Sequence, residues 1–322
     1  MPIINPELLI KIDSAKQKLD EEKLDTFVDD LFRNMQRQVI KFTSTQDGDN
    51  ARRRDEVIET FRNAWEYGKI NYKGDFNLVL LSDIAGKVEP NLCHPGERHV
   101  RYRSSSATLN ELGYVAPIDR NRIHTHLERT LEAMKTMTLH PVEEAIYLYS
   151  QIVRIQPFDN GNKRTGNIIM NLTLNQEGFP TVFVRPEERS VYISLLGNAL
   201  TGFQEGGANG EPLTPYTKPD YRQVAFNDHF ANKVLTSLLC SRNNLKSLPR
   251  YRISMQTKYQ GLTYSAKNAL SGWFSKREQV NQVQLKPRQK EITITGQIPY
   301  ETINHIMKDI SNGKMKYRIE TL

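Results

Sequence analysis

Ile155-Gln156-Pro157-Phe158-Asp159-Asn160-Gly161-Asn162-Lys163-Arg164-Thr165-Gly166-Asn167 lies between two apolar helical patterns. Ahead of it, His140-Pro141 opens a helix on which Val142, Ala145, Ile146, Tyr149, Ile152 and Val153 recur at helical spacing. Behind it, Ile168, Ile169, Leu172 and Leu174 form a strongly apolar helix, stopped by Glu177-Gly178-Phe179-Pro180. The polar residues between them read as a loop delivering the chain into a helix N-terminus. Such an end exposes unpaired backbone N–H groups and carries partial positive charge, so it attracts phosphate. Gly161 lets the backbone approach a ligand closely, and Lys163 and Arg164 add positive charge. The stretch reads as a nucleotide phosphate cradle.

Upstream, Asp119 caps a predicted helix carrying Ile123, Leu127, Leu131 and Met134. His124 and His126 fall on different faces of it, without the i, i+4 spacing of a zinc pair, and read as surface residues. Further back, Cys93-His94-Pro95-Gly96-Glu97-Arg98 signals a turn. His99 to Arg103 then alternates like a strand, and Tyr114-Val115-Ala116-Pro117 reads as its return partner in a hairpin. Leu78 to Ala85 is a short apolar helix or turn, and Asp55 to Tyr67 is a longer helix. Phe27 to Ile40 carries another helical stripe. Asn5-Pro6-Glu7 starts the first helix, with Asn at the N-cap, Pro at the first helical position and an acid in the first turn. These apolar stripes read as core rather than ligand-binding surface. Downstream, Thr181 to Val184 is strand-like and Glu187 to Phe203 helical.

Gly202 to Asp220 is rich in Gly, Pro, Thr and Asn and marks a boundary. Beyond it, Tyr221 to Leu322 holds 17 Lys+Arg and 6 Asp+Glu, a net of +11, while the other 220 residues hold 27 basic and 31 acidic, a net of −4. Helices over Asn227–Ser241, Ser265–Trp273 and Pro299–Ile310, with strands at Tyr251–Met255, Glu291–Thr295 and Lys316–Ile319, give this region α+β character. Lys276, Arg277, Lys286, Arg288 and Lys290 stand near Trp273 and Phe274. Such a region suits an acidic protein, nucleic acid or anionic surface as partner, or is a solvated basic face.

A chain of 322 residues with 25% charged and 38% hydrophobic residues has the composition of an ordinary soluble globular protein. No apolar run approaches the ~20 residues of a membrane span. Met1 to Asn5 lacks the basic start of a secretory signal, which points to the cytoplasm or to export by another route. Cys93 and Cys240, far apart, suit a reducing compartment more than a disulfide scaffold.

The central stretch resembles the signature of the Fic/Doc (Fido-domain) family. That signature runs His-Pro-Phe, any residue, an acid, Gly-Asn, Gly or Lys, Arg, two further residues and often a second Arg. Here it begins at Gln156 and ends at Asn167, and its Asn162-Lys163-Arg164-Thr165 run is closer to the Doc-like branch. The resemblance extends from Phe76 to Phe203. His140 to Ile155 resembles the helix before the motif, and Pro95-Gly96-Glu97-Arg98 through Pro117 resembles the substrate-docking flap. Tyr192 matches an aromatic position near the nucleotide base, and Pro157 and Phe158 match structural positions.

The resemblance implies a mainly α fold, a Fic-type helical core with a small β-hairpin flap, to which this chain adds a smaller basic C-terminal α+β region. The expected organisation is an N-terminal helical region over 1–70, the Fic/Fido core over 71–205 and the basic region over 221–322. The activity implied is transfer of AMP from ATP, with Mg²⁺, to a Ser, Thr or Tyr hydroxyl of a target protein docked on flap residues 99–117. Relatives transfer UMP, phosphocholine or, in Doc, a bare phosphate. Toxin, secreted effector and housekeeping modifier are all open as settings.

The expected nucleotide-binding residues are Asn160, Gly161, Asn162, Lys163, Arg164 and Tyr192, with Arg164 also catalytic through its guanidinium fork on phosphate. Three positions depart from the pattern. Asn160 stands at the acid position, where its carbonyl can ligate Mg²⁺ but brings no charge; Asp159, one residue earlier, reads as solvated or capping. Asn167 stands at the second Arg. Gln156 stands at the general-base position, and an amide takes up no proton near pH 7. Losing a general base typically costs ~10²- to 10⁴-fold in rate. The expectation is a nucleotidyltransferase impaired at Gln156; a nucleotide-binding pseudoenzyme and a Doc-like phosphotransferase are the alternatives.

Overall fold

A computed structural model describes residues 3–22, 54–74, 76–97, 99–109, 112–116, 120–184, 186–205, 219–247, 250–256, 280–286, 291–296, 303, 307 and 316–321. The chain divides into two compact units, Met1–Lys16 with Met35–Leu238, and Gln17–Asn34 with Leu239–Leu322. The helical stripe at Phe27 to Ile40, the Asp119 cap, the helix at Ser265–Trp273 and the residues Arg98, Pro117, Trp273, Phe274, Lys276, Arg277, Arg288 and Lys290 lie outside the described residues.

The helices run α1 (Pro6–Glu22), α2 (Arg54–Asn71), α3 (Leu78–Val88), α4 (Ile123–Thr136), α5 (Pro141–Ile155), α6 (Asn162–Gln176), α7 (Arg189–Glu205) and α8 (Tyr221–Ser247). α1 starts where its capping pattern predicts, with Glu7 N–H donating to Asn5 Oδ1 at 3.0 Å. Asn77 caps α3 by accepting from Leu80 N–H at 2.9 Å. α5 and α6 are buried along most of their lengths. Phe61 and Trp65 of α2, Leu81 and Ile84 of α3, Ile123 of α4, Leu148 and Ile152 of α5, and Ile168 and Ile169 of α6 form one core around Phe158. Each of these side chains contributes roughly 1.5–3 kcal/mol by leaving water. α2 approaches α6 at Gly68, where a Cβ would lie 2.6 Å from Leu172 Cδ1.

The two-stranded flap pairs β1 (Thr108–Leu109) with β2 (Tyr114–Val115), Thr108 opposite Val115 and Leu109 opposite Tyr114. Tyr114 O–H donates to Arg154 O at 2.9 Å, anchoring the flap on α5. The return strand falls where predicted, but the first strand does not, because His99 to Arg103 is not a strand. Its backbone bonds go to two different elements: Val100 N–H to Ser82 O at 3.3 Å and Arg103 N–H to Pro157 O at 2.8 Å. Thr181 to Val184 is buried, and it too is not a strand. The side chain of Asn171 takes the partner's place, accepting from Val182 N–H at 2.7 Å and donating to Val182 O at 3.0 Å. His126 corrects a third expectation. It is buried, because it lies on the same stripe as Ile123, Leu127 and Thr130, while His124 is exposed beside Glu128.

In the second unit, β3 (Arg250–Gln256), β4 (Val280–Lys286), β5 (Glu291–Gly296) and β6 (Lys316–Thr321) form a sheet in the order β4-β5-β3-β6. All neighbours are antiparallel, with Ile253 opposite both Ile292 and Ile319. β3 therefore runs parallel to β4, with β5 between them, and β5 parallel to β6, with β3 between them. Ile253, Ile303 and Met307 are fully buried. Ile303 and Met307 are helical, inside the predicted Pro299–Ile310 segment. Among the described residues, no helix is long and apolar enough to cross a membrane.

Candidate active site

The loop between α5 and α6 begins at Gln156, the C-cap of α5, whose φ of 49° is left-handed. A non-glycine residue there costs of order 1–3 kcal/mol and persists only when its surroundings hold it. Arg103 supplies part of that hold. Its Nε donates to Gln156 O at 2.7 Å and its Nη1 to Ser105 O at 2.5 Å, tying the flap's base to the loop. The Gln156 amide is engaged at both ends. Nε2 donates to Val153 O at 2.5 Å, and Oε1 accepts from Asn162 Nδ2 at 3.0 Å. Asn162 staples the loop, since it also donates to Phe158 O at 2.8 Å and accepts from Phe158 N–H at 3.0 Å. The buried Phe158 ring lies 6.0 Å from that of Tyr102, as befits a structural position.

Gly161 is the N-cap of α6, at a left-handed φ of 78°, and no side chain caps the helix. The first bond inside α6 runs from Thr165 N–H to Gly161 O at 2.9 Å, so the N–H groups of Asn162, Lys163 and Arg164 precede the helical ladder. Gly161 is required twice over: for its φ, and because a Cβ would stand 2.9 Å from Glu89 Cγ.

Glu89, just past α3, organises the underside of the loop. Its Oε1 accepts from Asn160 Nδ2 at 2.9 Å and from Arg164 Nη2 in a buried ion pair. Asn160 Oδ1 accepts from Gly161 N–H at 2.8 Å. Arg164, only 1% exposed, thus lies against a carboxylate beneath the loop.

A cavity of about 190 Å³ opens above, lined by flap residues 105–109 on one side and by Gln156 and residues 159–163 on the other. Of the residues predicted from sequence, Gln156, Asn160, Gly161, Asn162 and Lys163 come together around it. Tyr192 does not line it. Its side chain is buried among Tyr149, Phe226 and Phe230, with its hydroxyl on that of Tyr149. The cause is its spacing: Tyr192, Leu196, Ala199, Leu200 and Phe203 form the buried stripe of α7.

Sequence reasoning missed Glu89, Arg103 and the hydroxyls of Ser105, Ser106 and Thr108. Glu89 gave one signal, an acid between a helix end and Pro90. Arg103 was hidden in an apparent strand alternation.

Mg²⁺ takes oxygen ligands and needs only one or two carboxylates when phosphates supply the rest. Both ends of the Asn160 amide are bonded inside the protein, which leaves its uncharged oxygen one lone pair for a cation. Asp159 fits: it is exposed and lines the cavity. Among the described residues, no group of three or more His, Cys, Asp or Glu is placed to hold a metal. Burial pushes the Tyr102 and Tyr114 hydroxyls above the ordinary tyrosine range, so Tyr114 stays a neutral donor to Arg154 O.

Residues 80–174 match the Fic/DOC family model. They form a Fic/DOC family domain. The span contains Glu89, the flap, the loop and every residue lining the cavity. The protein adenylyltransferase Fic of Nematostella vectensis is 34% identical over 109 residues, covering 34% of this chain and 25% of that protein. The protein of the same name from Drosophila melanogaster is 36% identical over 86 residues, covering 27% of this chain and 18% of that protein. The chain thus spans a quarter or less of the length of these curated relatives. Among solved structures, a Fic-domain-containing signaling protein from Bacteroides thetaiotaomicron superposes with a TM-score of 0.56 at 14% identity, covering 72% of this chain and 96% of that one. Fic-1 from C. elegans does so with a TM-score of 0.59 at 17% identity, covering 75% and 72%. At these identities the likeness shows the Fic fold.

Proposed function

We propose that this Fic-domain protein transfers AMP from ATP to a hydroxyl side chain of a target protein, at a rate limited by Gln156. One observation carries the reading: the uncapped N-terminus of α6 borders a cavity that the flap closes from the other side. The names of the relatives, protein adenylyltransferase, support AMP as the group transferred.

In this reading the donor phosphates rest against the first-turn N–H groups of α6 and the Lys163 ammonium, which oppose their charge. Arg164 stands beneath the loop in an ion pair with Glu89, which offsets most of its charge and braces the loop. The target chain lies along the flap and presents its hydroxyl to the α-phosphorus. The hydroxyl oxygen bonds to that phosphorus, the bond to the bridging oxygen breaks, and pyrophosphate leaves. Mg²⁺ arriving with ATP would reduce the phosphate charge. The displaced proton goes to water, because the Gln156 amide carries no basic site and its oxygen already accepts from Asn162. Slow transfer follows.

The same double engagement of Gln156 favours a second reading, nucleotide binding without transfer. Incubation with ATP labelled at the α-phosphorus, Mg²⁺ and candidate proteins separates the two. Slow protein labelling with pyrophosphate release is expected. ATP binding by calorimetry with no labelling would establish the second reading, and label only from the γ-phosphorus would indicate phosphate transfer. Absence of any ATP binding would overturn both.

A further inference from the structure

We infer that Asp159, rather than Asn160, is the protein ligand for the divalent cation that accompanies the donor phosphates; the inference rests on the phosphate-cradle reading above. The family signature puts its acid at position 160. In this chain that side chain is exposed at the cavity, but its amide is engaged at both ends, Nδ2 on Glu89 and Oδ1 on Gly161 N–H. Glu89 explains the residue type. An aspartate at 160 would set one carboxylate against another within about 3 Å, a like-charge contact that costs free energy. Asparagine donates to Glu89 instead, and Glu89 is then free to hold Arg164 with the same oxygen.

The negative charge removed from position 160 reappears one residue earlier. Both residues border the cavity, but only Asn160 has its polar atoms engaged within the protein. Asp159 is exposed, lines the cavity with Lys163 and the start of α6, and has no hydrogen-bond partner among the described residues. Its carboxylate is therefore available as a hard oxygen ligand, with donor phosphates and water completing the shell. The sequence alone favours a solvated or capping Asp159. The engagement of both Asn160 amide atoms reverses that preference.

The test is calorimetry of ATP binding to the full chain, in EDTA and in Mg²⁺, for the wild type, Asp159→Asn and Asp159→Glu. Mg²⁺ is expected to tighten ATP binding to the wild type by at least ~10-fold. Asp159→Asn is expected to lose that tightening, while binding in EDTA rises because one negative charge leaves the cradle. Asp159→Glu restores part of the Mg²⁺ dependence. Water-proton relaxation with Mn²⁺ and ATP reads the cation directly, and its enhancement is expected for the wild type and lost in Asp159→Asn. Full Mg²⁺ tightening in Asp159→Asn would overturn the inference, as would a wild type that binds ATP equally with and without metal; both leave the cradle reading standing. A wild type that binds no ATP under either condition overturns the cradle reading and the inference with it.

Discussion

α5 and α6 are adjacent helices of one core, yet their N-termini are treated in opposite ways. α5 is sealed. His140 Nδ1 accepts from Val142 N–H at 3.1 Å, and Glu143 Oε2 accepts from His140 N–H at 3.1 Å, which makes a capping box. The other oxygen of Glu143 accepts from Ile3 N–H at 2.7 Å and Ile4 N–H at 3.1 Å, so the same carboxylate also ties down the start of the chain. α6 is open. It starts at a glycine, has no side-chain cap and borders a cavity. Orphan N–H groups cost free energy unless water or a ligand satisfies them. That one helix end is closed so completely and the next left bare supports the proposal that a ligand's charge belongs at the bare one.

The largest expected effect lies at the open end. Gln156→His is expected to raise AMP transfer by about 10²- to 10⁴-fold, the usual worth of a general base. Histidine also suits the site's backbone, being among the residues enriched in left-handed conformations. The check is the labelling rate as a function of pH, which should rise through about 6.5 as the imidazole loses its proton. If transfer does not increase, the open end is not coupled to chemistry at position 156, and the contrast between the two helices reduces to ligand binding.

At the sealed end the expected loss is in stability. Glu143→Ala removes the acceptor for three backbone N–H groups, and the carboxylate is only 3% exposed. A loss of about 3 kcal/mol follows from leaving buried donors unsatisfied. Urea unfolding measures it. A loss below ~1 kcal/mol would mean that water replaces the cap, and the two helix ends would then differ less than their geometry indicates.

Both helix ends were legible in the sequence, but the distant residues that brace the open one were not. The capping chemistry of α1 and α5 is local, so Asn5-Pro6-Glu7 and His140-Pro141-Val142-Glu143 announce their helices within four residues. The cradle loop was equally legible, because its glycine, its charges and the apolar helices around it are contiguous. Glu89 was not, since its partners Asn160 and Arg164 are more than 70 positions away. Arg103 was read as part of a strand for the same reason: its backbone and side chain serve residues 156 and 157. The second unit shows the effect at the level of whole elements. Its strands pair across long separations, and β4 went unread because a register shift between Val280 and Gln282 breaks the alternation that Val283 and Leu285 would otherwise continue.

The smallest expected effect again concerns the first turn of α5, where Glu144 follows Glu143. Glu143 is buried with three backbone donors; Glu144 is half-buried, and the desolvation that comes with burial, followed by the nearby Glu177 charge, holds its carboxyl above the ordinary value of 4.5. A carboxyl whose pKa is raised by folding contributes stability below its unfolded pKa, and that contribution is lost as pH rises through the folded value. At neutral pH the ionised Glu144 therefore works against the fold, even though an acid near a helix N-terminus is favoured by the helix dipole. Glu144→Gln keeps the shape and removes the charge. It is expected to raise the Tm at pH 7–8, with the gap to wild type closing as pH falls toward 4.5. Thermal melts across that range check it. A gap that does not change with pH would assign the effect to packing, and a lower Tm at neutral pH would mean that attraction to the helix end outweighs burial, so that both acids, not Glu143 alone, serve to seal α5.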